Sequence, residues 1–201
     1  MAERPKPLED FLGALRGELS QMQLGAAAGR CLWRVFDTLA RPRPVVPKAP
    51  ARLPACAHLG DALDTARQAS PSLARIANTF ATLEPSLTWT RRPSADHTAS
   101  PNFTDGHANA MIVGPNGYEP RTDVWVGVSL LAPRVRYPDH DHAPEEVYLV
   151  LSQGRFRQGE ADWFEPGIGG SFYNTPNVKH AMASGDAPLF AVWCLAPAAQ
   201  I

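Results

Sequence analysis

From just after Pro7, Leu8, Phe11, Leu12, Leu15, Leu19 and Met22 recur at intervals of three and four. That is the period of an amphipathic helix with a proline-marked start. The pattern resumes from Cys31 to Leu39, so residues 7–40 read as helical, with the small-residue patch Gly25 to Gly29 as a candidate break. The run RPRPVVPKAPARLP (41–54) cannot hold a helix, because proline removes a backbone donor and clashes with the preceding turn; it reads as a connector. A second helical stretch covers about 60–83 with Leu63, Ala66, Leu73, Ile76 and Phe80 on one face, and Pro71 splits it into two shorter helices.

From about residue 86 the period shortens to two. SLTWTR (86–91), ANAMIVG (108–114), DVWVGVSLL (123–131), EVYLVLSQ (146–153), GRFRQ (154–158), DWFEPG (162–167), GGSFYN (169–174), VKHAMA (178–183) and LFAVWCLA (189–196) are β-type runs between Gly, Pro and Asn turns. Eight or nine such strands in about 110 residues predict a sandwich or small barrel. Val147, Leu149 and Leu151 alternate with the other face of their strand and are themselves apolar, so the outer face needs a cover. The expected organisation is an N-terminal helical extension (1–85) packed on a β-barrel (86–201).

Composition narrows the partners. The 201 residues carry a formal charge of −1, which gives no electrostatic footprint for nucleic acid or an anionic membrane and suits a small neutral or zwitterionic substrate. Twenty prolines and fifteen glycines beside a 44% hydrophobic fraction fit a turn-rich β domain and not disorder. Three cysteines without CxxC spacing argue against a disulfide framework and for a reducing compartment. The first residues form no signal peptide, and no run reaches the roughly 18 apolar residues of a membrane span, so a cytoplasmic protein is expected.

The chemistry concentrates in PDHDHAPEEVYLVLSQG (138–154). His140 and His142 share a face on an extended chain, Ala143 and Pro144 turn it, and Glu146 and Tyr148 repeat the two-residue spacing. His180 follows in another strand-like run. Imidazoles and one carboxylate converging inside a barrel suit one divalent transition metal ion: Fe(II), Zn(II), Mn(II), Co(II) or Ni(II). With no thiolate nearby in sequence, an open catalytic site is favoured over a closed structural zinc. His142, Glu146 and His180 form the firm ligand set, and His140 or Tyr148 completes it. His58, His97 and His107 receive no role.

HxHxxxE followed by a histidine in NTPNVKHAM resembles the two motifs of the cupin superfamily, although the trailing asparagine of the second motif is missing. The resemblance implies a mainly β fold, a cupin (double-stranded β-helix, jelly-roll) barrel. The combination HDHxxxExY, a later histidine and a helical N-terminal extension on about 200 residues is further similar to the Q-type dimethylsulfoniopropionate (DMSP) lyases of marine bacteria. Tyr137 beside the motif and Trp193 in the last strand extend the likeness. It implies cleavage of DMSP to dimethyl sulfide and acrylate, with a metal on His142, Glu146 and His180, and His140 close by.

Tyr148 is then the proposed base, with Tyr137 as its competitor. Aromatic faces would hold the sulfonium, the candidates being Tyr137, Trp125, Trp193, Phe172 and Tyr173. The rival readings are another metal-dependent cupin enzyme, a dioxygenase or isomerase, or a non-enzymatic cupin sensor. The oligomer the cupin likeness admits is a homodimer paired through the barrel.

Overall fold

A computed structural model describes residues 3–93 and 96–197. Four helices lead the chain: α1 (Lys6–Leu19), α2 (Ala26–Leu39), α3 (Leu59–Ala69) and α4 (Pro71–Leu83). The break falls at residues 20–25, just ahead of the small-residue patch expected to hold it: Gly25 caps α2 and the rest of the patch forms its first turn. Pro71 opens α4 at its first position, where a missing N–H costs nothing, and the Ser70 hydroxyl accepts from the Leu73 N–H. Among the described residues no helix is long and apolar enough to cross a membrane.

A single-turn helix, α5 (Phe103–Gly106), precedes nine strands: β1 (His107–Gly114), β2 (Glu119–Pro120), β3 (Trp125–Leu131), β4 (Arg136–His140), β5 (Glu145–Val150), β6 (Arg155–Gln158), β7 (Ser171–Asn174), β8 (His180–Ala183) and β9 (Leu189–Ala196). They form a six-stranded sheet, β2-β1-β3-β9-β5-β7, facing a three-stranded one, β4-β8-β6. Except for the short parallel pair β1–β2, neighbouring strands are antiparallel. This is the cupin barrel that the motifs imply.

Two expected strands are not strands. In 86–91 the partners change residue by residue: Thr88 bridges Ala51 and Thr90 bridges Asn109, so no ladder builds. In 162–167 Phe164 bridges Phe156, after which Pro166 lacks a donor and Gly167 turns at φ +80°. In exchange, β2 and β4 carry no strong strand signal. Pro138 sits inside β4, and it is tolerated because β4 is an edge strand whose register shifts between Tyr137 and His140.

Alternation along the six-stranded sheet feeds two hydrophobic clusters. Its outer face, Ile112, Val126, Val128, Val147, Leu149 and Val192 among others, joins Leu8, Phe11, Leu15, Val35, Ile76 and Phe80 of the helices in one core. Phe80 touches Phe11 and Phe190 at ring-centroid distances of 5.6 and 5.0 Å, linking the helices to the sheet. The Arg34 guanidinium on α2 meets Glu145 on β5 at 2.6 Å. The inner face, with Tyr148, Val150 and Ala191, joins Tyr137 and Phe156 of the three-stranded sheet in a smaller cluster in the barrel lumen.

Candidate metal centre and its cavity

The bulge at Pro138 brings His140 into register with His180 on β8, their ring centroids 4.0 Å apart. His142 lies just beyond β4, and Glu146 enters from β5. In all three histidines Nδ1 meets a backbone carbonyl at 2.9 Å, that of Pro138, Pro144 and Val178 respectively. A carbonyl only accepts, so Nδ1 carries the proton and each neutral ring turns the lone pair of Nε2 outward.

Among the described residues His142, Glu146 and His180 offer ligand atoms that all lie within 4.8 Å of one another. Nε2 of His142 and of His180 stand 3.3 and 3.4 Å from Glu146 Oε2. His180 Nε2 is buried without a hydrogen-bond partner. Lone pairs aimed at a carboxylate repel unless a cation lies between them, so this donor set fits a divalent metal. A proton can play that part at one ring only. Burial works to lower the His142 pKa, yet the Glu146 carboxylate and the Pro144 carbonyl hold it above the ordinary histidine value. Burial holds His180 below that value, and burial together with the neighbouring His180 holds His140 well below it.

His142 and Glu146 of this donor set border a cavity of about 240 Å³, a size for a small molecule. His140, His142 and Glu146 form one part of its wall, and Tyr137, Tyr148, Trp125 and Trp193 another. His180 sits behind His140 and 5.0 Å from the His142 ring. Phe172 stacks on Tyr148 at 5.0 Å. Tyr173 is a correction: it faces the helices, and its hydroxyl donates to Glu145 at 2.6 Å. Phe172 and Tyr173 are sequence neighbours, so only one of them can point inward.

The two tyrosines differ in what surrounds the oxygen. Burial, then the Glu146 carboxylate, raises the Tyr148 pKa well above the phenol range. Burial raises Tyr137 too, but Asn109 and Arg92 pull against it. Asn109 Nδ2 donates to the Tyr137 hydroxyl at 3.1 Å, Ser129 Oγ donates to Asn109 Oδ1 at 2.8 Å, and Trp193 Nε1 donates to Ser129 Oγ at 3.1 Å. Every donor in this chain points toward Tyr137. The Arg92 guanidinium lies 5.9 Å from the centre of its ring. The Trp193 indole lies against Gly127, its partner on β3, where a Cβ would fall 2.2 Å from the ring and 2.6 Å from the Ala110 carbonyl.

His107 is a satisfied core histidine: it stacks on Phe103 at 3.8 Å and accepts from the Arg92 N–H. Sequence reading did not find Arg92, Asn109, Ser129, Gln158 or Asn174. Isolated polar residues carry no spacing signal; folding brings Arg92, Asn109 and Ser129 to the cavity wall, and strand pairing sets Asn174 beside Glu146 and Gln158 beside His180.

The family model for dimethylsulfoniopropionate lyase matches residues 27–191. A protein of Cereibacter sphaeroides named as a dimethylsulfoniopropionate lyase, DddL, is 30% identical over 166 residues, covering 76% of this chain and 65% of its own length. The chain therefore spans somewhat less than two thirds of that relative. Of solved structures, the DMSP lyase DddQ from Ruegeria pomeroyi DSS-3 superposes with a TM-score of 0.71 at 18% identity, covering 98% of this chain and 95% of that one. A chain from the crystal structures of the DMSP lyases RdDddP and RnDddQII gives 0.74 at 20% identity, covering 96% and 93%. At those identities the likeness concerns the fold, in which barrel and helical extension align together. With the family model running from the second helix into the last strand, the chain belongs to the dimethylsulfoniopropionate lyase family.

Proposed function

We propose that the protein is a metal-dependent carbon–sulfur lyase that splits DMSP into dimethyl sulfide and acrylate. The observation that carries this reading is that Tyr148 shares one small cavity with His142 and Glu146, which form a compact donor set with His180, in a chain of this family. His142 and His180 would hold the ion through Nε2 and Glu146 through its carboxylate, with His140 or Tyr148 as the further neighbour. When bound, a divalent metal supplies positive charge beside the Tyr148 hydroxyl and the substrate carboxylate, which favours the phenolate and offsets charge that builds up on the substrate. The donor set accepts several first-row ions.

The reaction places three demands on the chain. A base must take the α-proton, and Tyr148 is the residue assigned to it, with Tyr137 as competitor. As the tyrosine oxygen gains that proton, the C–H electron pair becomes the Cα–Cβ double bond, and the Cβ–S pair leaves with sulfur. Sulfide departs neutral, so no general acid is needed. The second demand is to hold a sulfonium, which suits the faces of Trp125 and Trp193, each such contact being worth roughly 0.5–2 kcal/mol. The third is to set the substrate's direction. Arg92 at the cavity wall favours the carboxylate end nearby and repels the sulfonium.

The test is headspace detection of dimethyl sulfide from purified protein and DMSP without oxygen, with metal content measured on the same preparation. Sulfide release that tracks metal content is expected. A fully metal-loaded protein that releases none would sink the lyase reading and return the site to an oxygenase, an isomerase or a sensor.

A further inference from the structure

One buried polar group in the barrel remains without a role. Asn174 on β7 is fully buried and pairs in register with Glu146 on β5. Its Nδ2 donates to Glu146 Oε2 at 2.8 Å, the same oxygen that His142 and His180 approach. Its Oδ1 accepts from Gln158 Nε2 at 2.5 Å. Gln158 lies on β6, in register with His180 on β8, and its Nε2 also donates to the Tyr173 carbonyl at 2.7 Å.

The direction of this chain is fixed from one end. The Tyr173 carbonyl can only accept, so Gln158 must turn its nitrogen toward it. Asn174 must then offer Gln158 its oxygen, which leaves its nitrogen for Glu146. The Gln158–Asn174 bond also crosses from the three-stranded sheet, which carries His180, to the six-stranded sheet, which carries Glu146. We infer that Asn174, oriented by Gln158, is a positioning residue that holds the Glu146 carboxylate in place as a metal ligand and fixes its spacing to His180. The inference rests on the metal reading of the site.

Removing a hydrogen-bond partner of a metal ligand typically weakens metal binding by roughly 10- to 100-fold. Asn174→Ala is expected to raise the dissociation constant for Zn(II), read by chelator competition, by about that factor. Gln158→Glu should do the same from a partly exposed position, because a carboxylate cannot donate to Asn174 Oδ1 and would turn the amide round to face Glu146 with its oxygen. With Asn174 already replaced by Ala, Gln158→Glu should add little, since the two act through one bond. Metal stoichiometry and turnover at saturating metal should survive in both variants, unlike in Glu146→Gln.

The result that would overturn the relay is Zn(II) affinity within about twofold of wild type in folded Gln158→Glu, or independent, additive losses in the double variant. If Glu146→Gln weakens Zn(II) while the relay variants do not, the relay alone fails. If the unaltered chain binds no Zn(II), or Glu146→Gln leaves it unchanged, the metal reading fails and takes the relay with it.

Discussion

The two faces of the six-stranded sheet do different work with one alternating sequence. Outward, Val147, Leu149, Val192 and Cys194 meet a layer of helices in a continuous apolar core. Inward, Glu146, Tyr148, Trp193 and Asn174 face a narrow lumen where Glu146 is held by Asn174 and Trp193 by Ser129 through directed hydrogen bonds. Apolar burial is non-directional and tolerates exchange of similar volumes. A polar lumen has no such latitude, because each buried donor or acceptor left unmatched carries its desolvation cost. The outer face should therefore govern stability, and the inner face chemistry.

That division can be broken from either side. His180→Ala or His142→Ala should remove the bound metal and lower sulfide release at least about a hundredfold, since metal charge stabilisation is worth several kcal/mol. The melting temperature of the metal-free protein should scarcely move; a collapse of the fold in circular dichroism would mean that the lumen also carries the stability. Tyr148→Phe should bind metal nearly as wild type and lose roughly 10²- to 10⁴-fold in turnover, the range for a general base. Retained turnover, paired with loss in Tyr137→Phe, would move the base to the tyrosine whose oxygen Asn109 already supports.

From the other side, Phe80→Ala deletes a ring with no solvent exposure between α1, α4 and β9. It should cost about 3–5 kcal/mol in urea unfolding and leave Zn(II) affinity in the surviving folded fraction unchanged. A smaller effect comes from protons. Burial keeps His107, His140 and His180 below the ordinary histidine pKa in the folded protein. Below about pH 6.5 the unfolded chain therefore takes up more protons at these positions, and the metal-free protein loses stability as the pH falls. His142, raised by Glu146, acts in the opposite direction. With three groups against one, the urea midpoint should be lower at pH 5.5 than at 7.5. An equal or higher midpoint would show that the His142–Glu146 pair outweighs the buried neutral rings.

What could be read from the chain follows the same division. Helices and outer strands announce themselves through period, and all of the candidate donor set but His180 through the short spacing from His140 to Tyr148. Pro138 concealed β4, because a proline reads against a strand unless an edge position and a bulge are known. Register concealed the rest. Phe172 and Tyr173 are indistinguishable as candidates until pairing fixes which one faces Tyr148, since a slip of one residue exchanges the faces. Asn174 and Gln158 lie 28 and 12 residues from Glu146 in the chain, and nothing in the sequence between them announces their contact.

Gly127 bears on how this cavity can vary among relatives. The Trp193 indole occupies the space that any other residue at that position would fill, with the Ala110 carbonyl close behind. The two positions therefore hold one volume between them and cannot drift separately. Where a relative carries a side chain at the glycine, it should carry something smaller than tryptophan opposite and a β1 backbone displaced at the position of Ala110. The Ser129–Asn109–Tyr137 chain would then lose its first donor, so a change in one backbone position would travel as a correlated change in the cavity's aromatic wall and in the polarity of its tyrosine.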